Sequence, residues 1–320
     1  MAGAENDGVR SKGSRSKATR RKADKLPENN WEDLLIDSRT PLYASEHSGR
    51  YERQKLIRGY EQITGRNLIA VVDQIYEGKM TVFQELLGDC DPDKELDVLL
   101  SSPGGSGEMA LRMVQSMQDQ CRAVRVIVPD MAKSAATVLC LGADEIVMGP
   151  AGDLGPIDPQ MILKSRFMVS AKELVQAVED AEAKVRDNPG AFALYSSLLS
   201  EVNMLTYEQS KSAIARSETL MREALEAVTT RGKDDVDRLC DQLKGPLIDV
   251  PTNHAAVFSY ENAKRCGLPV TRPDLGGREW KVLWSLWTHY YAIGSFPAGS
   301  TAVYEGKRVS HIESPAGVAN

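Results

Sequence analysis

The sequence predicts an α/β fold with helices wound around a mostly parallel sheet. Short apolar runs alternate with helix-patterned stretches from residue 67 to residue 148, the rhythm of strand–helix–strand units. The turns that bear chemistry, Gly104-Gly105 and the one holding Ser134, both follow predicted strands. Sheets of this class gather their active sites at such loops.

Taken in order, Arg50 to Ile63 carries Tyr51, Leu56, Ile57, Tyr60 and Ile63 at helical spacing, and Gly65 closes it. Asn67-Leu-Ile-Ala-Val-Val reads as a buried strand and Met80 to Leu87 as a helix. Leu96 to Ser102 is a second strand, stopped by Pro103-Gly104-Gly105, and Glu108 to Cys121 is helical. Val124-Arg-Val-Ile-Val-Pro is a third strand, Ala135 to Gly142 a short apolar helix, and Glu145-Ile-Val-Met a fourth strand. From Ser170 the chain turns helical, over Ala171–Arg186 and Tyr207–Thr230, with Gly232 ending the second helix. A short strand at Ala256-Val-Phe precedes a helix from Ser259 to Gly267. Trp280, Trp284 and Trp287 then cluster with Tyr290, Tyr291 and Phe296, a group expected to pack on the body or on a neighbouring subunit. The expected organisation is a disordered basic arm over 1–30, a catalytic domain over 31–275 and an aromatic-rich extension over 276–320.

Composition narrows the function classes. With 320 residues, 42% hydrophobic and 26% charged, the chain suits a globular protein with a sizeable core. No stretch approaches the ~18–20 uncharged apolar residues that cross a bilayer, and no apolar segment follows the charged N-terminus, so a cytoplasmic protein without membrane partners is expected. Residues 1–25 hold eight Lys/Arg against three acids, a charge of +5 that leaves −11 on the remainder of a chain of net charge −6. An acidic body argues against a nucleic-acid partner, and the arm reads as a solubilising extension. Five scattered cysteines and four isolated histidines offer no metal-ligand spacing, so free thiols and no cofactor are expected.

Serine-based acyl transfer needs an exposed hydroxyl in a tight turn, a base, and two backbone N–H groups for the oxyanion. Ser134 opens the apolar helix at Ala135, where the helix dipole favours negative charge and the first amides lack intrahelical partners. Ala135 and Gly105 are the candidate oxyanion donors. Gly104 and Gly105 let the backbone face a cleft without a side chain in the way. Alone, Ser134 would read as a helix cap; the Gly-Gly turn one strand earlier makes it a candidate nucleophile.

These residues carry a resemblance. Ser102-Pro103-Gly104-Gly105, Ala132-Lys133-Ser134-Ala135-Ala136-Thr137, Gly142-Ala143-Asp144-Glu145-Ile146-Val147-Met148 and Leu154-Gly155-Pro156-Ile157-Asp158-Pro159-Gln160 resemble the serine dehydrogenase proteinase family, related to signal peptide peptidase A and to the Clp protease subunit. The resemblance runs over roughly residues 50–272. It implies a crotonase/Clp-protease-like spiral of ββα units, peptidase chemistry on peptide or protein substrates, and homo-oligomers. The Clp pattern implies a histidine within Leu154–Gln160, and none is there. The signal-peptide-peptidase pattern implies a lysine on a later helix, where Lys211 stands beside Ser210, Ser212 and Ala213. A buried lysine serves as base when neutral. His254 matches a histidine of the family and is the other candidate, as base or as an orienting partner. Lys133 adjoins the serine and is expected to point away. The Asp153–Asp158 loop is expected either to line the cleft or to cap a turn, with the turn favoured.

The leading expectation is a soluble serine endopeptidase with a Ser134/Lys211 dyad. A crotonase-like acyl-CoA enzyme and a catalytically silent scaffold of the same fold are the alternatives, since fold alone does not fix function.

Overall fold

Leu68, Ala70 and Val72 point to one side of a sheet and Ile69 and Val71 to the other, and all five are buried. A strand covered on both faces reads as a continuous apolar run, as strands of parallel sheets wrapped by helices do. The computed structural model describes residues 40–164, 166, 168–250 and 256–314. The described residues fall into two units, divided between residues 48 and 49. The described part of the first holds a short helix, α1 (Pro41–Glu46), whose Thr40 hydroxyl caps it by accepting the Tyr43 N–H.

The second unit opens with the body of α2 (Ser48–Thr64) and is built on a seven-stranded sheet. Four of its strands, β1 (Asn67–Val72), β2 (Leu96–Ser101), β3 (Val124–Val128) and β5 (Glu145–Met148), lie side by side and parallel, with the two-residue β9 (Val270–Thr271) added to β5. One face is covered by α3 (Met80–Gly88), α4 (Gly107–Gln120), α5 (Ala135–Leu141), and parts of α8 (Met204–Glu226) and α9 (Lys233–Lys244). The other is covered by α2 and α11 (Arg278–Ala292), through Ile57, Tyr60, Trp280, Leu283, Trp287 and Tyr290.

Beyond the carboxyl ends of these strands the chain turns into a second, smaller layer. β4 (Met131–Ala132) pairs in parallel with β6 (Asp153–Leu154), and the layer continues through the bridges Ile75–Gly105, Ser102–Ala132 and Leu154–Phe258. Each turn of the chain thus lays one strand in the main sheet, one short strand in the second layer, and then a helix. That is the ββα spiral, and it brings Ser102, Ala132 and Leu154 from three successive turns side by side. A hairpin of β7 (Gln160–Ile162) and β8 (Met168–Ser170) leads into α6 (Ala171–Asp187) and α7 (Phe192–Leu198); α10 (Tyr260–Arg265) precedes β9.

The aromatic-rich segment differs from the expected appended extension. It supplies α11 and two further strands, β10 (Ala302–Glu305) and β11 (Ser310–Glu313), and β10 pairs antiparallel with β1. A buried cluster fixes the junction. The Glu305 carboxylate, fully buried, accepts hydrogen bonds from Arg53 (2.8 and 3.2 Å), Tyr290 (2.9 Å) and Ser310 (2.7 Å). Arg53→Met would strand that carboxylate without a cation, and urea unfolding is expected to read a loss of about 3–5 kcal/mol. The double variant Arg53→Met/Glu305→Gln removes the stranded charge and is expected to recover most of it.

Candidate active site

The chain passes from β4 to α5 through Lys133-Ser134, and there its backbone leaves ordinary conformation. Ser134 has φ 51° and ψ −115°; among the described non-glycine residues only Arg166 shares a positive φ. A side chain held there costs of order 1–3 kcal/mol and persists only where the surroundings enforce it. Thr137 braces the turn: its one hydroxyl proton lies within reach of the Ala132 (2.9 Å) and Gly155 (2.8 Å) carbonyls, and its oxygen accepts the Gly155 N–H (3.2 Å). The Thr137 N–H donates to the Ser134 carbonyl (2.9 Å) and the Ala136 N–H to the Lys133 carbonyl (2.9 Å). The strained turn swings the serine out of capping position: its side chain makes no cap bond, and its hydroxyl has no partner among the described residues. The helix-cap role, the commonest one for such a serine, is therefore not the one seen.

Gly104 and Gly105 pass directly beside it, at φ 103° and 137°. A Cβ on Gly104 would stand 2.7 Å from the Ser134 Cβ and from the Lys133 carbonyl, and one on Gly105 would stand 2.1 Å from the Ile75 carbonyl. The Ile75 N–H donates to the Gly104 carbonyl (2.8 Å), and the Ser106 N–H to the Ile75 carbonyl (2.7 Å). Successive residues of an extended segment face opposite ways, so the N–H and C=O of Gly105 face away from Ile75. Neither the Gly105 nor the Ala135 N–H has an acceptor among the described residues, and Ala135 is only 2% exposed. Buried amides are nearly always paired, so an unpaired one beside a free hydroxyl points to a site awaiting an acceptor. The Gly104 N–H is different: it donates to the Ser102 hydroxyl at 3.1 Å, so Gly104 contributes space rather than a donor.

Ser134 and Gly105 open on a cavity of about 180 Å³ that also meets Ile157, Asp158, Arg216 and Leu220. Asp158 is buried, and its carboxylate accepts from Gln160 (2.7 Å) and Ser170 (2.8 Å). It thus faces the serine's cavity rather than only capping a turn, and its position two dozen residues after the serine, where the Clp pattern has histidine, was the signal for it. Arg216 is already paired with Glu108 (2.6 and 2.8 Å) and Glu223 (3.0 Å), and its hydrogen bonds hold the Glu108 carboxyl below the ordinary range.

Lys211 is not brought to the serine. Its side chain is half exposed, lies over the Tyr207 ring and is 3.6 Å from Glu208. The α8 residues that meet the cavity are Ala213, Arg216, Ser217 and Leu220. At about 100° per residue, Lys211 lies roughly 170° around the helix from their mean direction. His254 lies outside the described residues. Lys133 does turn away from the cavity, into a buried ion pair with Asp153 (2.6 Å). Asp153 accordingly serves as a counter-ion rather than a turn cap. Among the described residues no group of His, Cys, Asp and Glu is placed to hold a metal, and no described helix is long and apolar enough to cross a membrane.

Part of the chain is similar to known proteins. Residues 85–198 match the family model described as ClpP-like SDH-type serine proteinase, a span that includes the glycine turn, Ser134 and Asp158. Over that span the chain is similar to that family. Two uncharacterised proteins of Methanocaldococcus jannaschii are similar to part of this chain. One is 34% identical over 96 residues, 30% of this chain and 32% of the relative. The other is 30% identical over 69 residues, 22% of this chain and 24% of the relative. The matches span a third or less of these relatives' own length. A ClpP1 mutant from Listeria monocytogenes is a distant structural neighbour, at 14% identity and a TM-score of 0.36, covering 68% of this chain and 97% of that one.

Proposed function

We propose that this protein is an oligomeric serine endopeptidase that cleaves peptide bonds by acyl transfer through Ser134, a reading supported by the similarity of residues 85–198 to the ClpP-like SDH-type serine proteinases. The observation that carries the reading is the strained Ser134 with its unpartnered hydroxyl, set beside the unpartnered amides of Gly105 and Ala135. Ser134 Oγ attacks the scissile carbonyl carbon, and the Gly105 and Ala135 N–H groups receive the charge that develops on its oxygen. The base takes the hydroxyl proton and returns it to the leaving amine, and water then releases the acyl group by the same route. A substrate strand lies along the Gly104-Gly105 segment and pairs with the outward-facing C=O of Gly105, whose N–H is kept for the oxyanion.

His254 is the proposed base, with Asp158 as its orienting partner, in place of Lys211. The described chain on either side of His254 is tied to the serine's surroundings. The Ile157 N–H donates to the Leu247 carbonyl (2.8 Å), and Lys133 Nζ donates to the Ala256 carbonyl (3.4 Å). A half-exposed lysine on the far side of α8 has neither the position nor the desolvation that a neutral lysine base requires.

Rates of fluorophosphonate labelling separate the two bases. His254→Ala is expected to slow labelling of Ser134 by about 10³-fold or more, while Lys211→Ala stays within about twofold of wild type. The opposite pattern would restore the Ser134/Lys211 dyad. A wild-type protein that remains unlabelled when fully folded would favour the silent scaffold.

A further inference from the structure

Lys133 is 8% exposed, sits immediately before the nucleophile, and takes no part in the chemistry above. Its stem lies across Gly155, where a Cβ would come within 2.3 Å of the lysine Cδ. Its ammonium group reaches three acceptors on two other segments: the Asp153 carboxylate (2.6 Å), the Leu154 carbonyl (3.3 Å) and the Ala256 carbonyl (3.4 Å). The Leu154 and Phe258 backbones exchange hydrogen bonds (3.0 and 2.9 Å), so the strand that Lys133 grips also carries the 256–258 segment. An ammonium has three donors, and here each finds an acceptor. A lysine used only as a surface charge would not be buried, and one used only as a counter-ion would need only Asp153.

We propose that Lys133 is a positioning residue, a clamp that locks the chain around Ala256 to the nucleophile turn through its three-way contact with Asp153, Leu154 and Ala256. Because it is covalently next to Ser134, the clamp sets the distance between the nucleophile and whatever the 256–258 segment brings to it. This deepens the catalytic reading, since on that reading the segment leads back within two residues to the base. Gly155 is then glycine because the lysine stem needs the space of a side chain.

Lys133→Met alone leaves the partly buried Asp153 without its cation and endangers folding. The informative variant is therefore Lys133→Met/Asp153→Asn, which removes the ammonium without stranding a charge, and Lys133→Arg serves as the conservative rescue. Two measurements are made on the full chain. Amide hydrogen exchange reads the clamp itself: exchange at residues 256–258 is expected to accelerate by about tenfold or more in the double variant, with the strands of the main sheet unchanged. Fluorophosphonate kinetics read its consequence: the limiting labelling rate is expected to fall by about 10²-fold with the reagent's half-saturating concentration within about twofold of wild type, and Lys133→Arg is expected to recover most of the rate. Unchanged exchange at 256–258 in the double variant would overturn the clamp, whatever the labelling does. Faster exchange with an undiminished labelling rate would keep the tether but refute its positioning role. A wild type that is never labelled would count against the catalytic reading and not against the tether, which the exchange measurement reads independently.

Discussion

Ser134→Gly is expected to abolish turnover, by about 10⁶-fold, and at the same time to make the protein more stable by about 1 kcal/mol. Loss of the nucleophile accounts for the first effect. The second follows from the backbone: at φ 51° and ψ −115° the serine Cβ is strained, and glycine is not. Part of the relieved strain is offset by the larger conformational freedom of glycine in the unfolded chain. Ser134→Ala shares the loss of activity but keeps the Cβ and the strain, so its stability should stay near that of wild type. A stability gain in glycine and not in alanine, read by urea unfolding, would identify Ser134 as a position where conformation is held against its preference for the sake of chemistry. Equal stability of all three proteins would remove the strain argument.

Gly105→Ala carries the second large effect. The added Cβ would meet the Ile75 carbonyl at 2.1 Å, a backbone atom that moves only if the Ile75–Gly105 bridge opens. The φ of 137° is also one that alanine rarely takes. The segment must therefore shift and carry its N–H with it. Losing one oxyanion donor costs about 10²–10³ in the acylation rate, and the displaced strand adds to that by misaligning substrate. The expected signature is a collapse of the chemical rate with Ser134 still present and the main sheet intact by circular dichroism. Gly107→Ala is a useful contrast. Its Cβ would meet the end of the Leu220 side chain at 2.6 Å, a contact that a flexible side chain can relieve by moving. Its effect on the chemical rate should be far smaller.

Much of this was legible in the sequence because it was local. The strands from Asn67 to Met148 are continuous apolar runs, and the glycine pair and the serine-led helix announce themselves within a few residues each. The second-layer strands are another matter: β4 and β6 are two residues long, too short for any period to show, and only their pairing defines them. β10 and β11 are four residues each and include Glu305 and His311, and Glu305 reads as a surface charge until Arg53, some 250 residues away, is seen beside it. The exposure of Lys211 was hidden for a related reason. Neighbouring small residues made Lys211 look buried, but a helix hides or exposes a side chain by its phase, and the phase of α8 is set by which of its faces meets α4 and α5. Lys133 illustrates the converse, since adjacency to the nucleophile predicts that it points away but says nothing of Asp153 and Ala256 waiting for it.

Mapping the site of covalent modification addresses acyl transfer through Ser134 most directly. The folded full-length protein is treated with a fluorophosphonate, and the adduct is located by peptide mass spectrometry. One adduct per chain, on Ser134 and absent after prior unfolding, is the expected result. An adduct on any other residue, or undiminished labelling of Ser134→Ala, would contradict it.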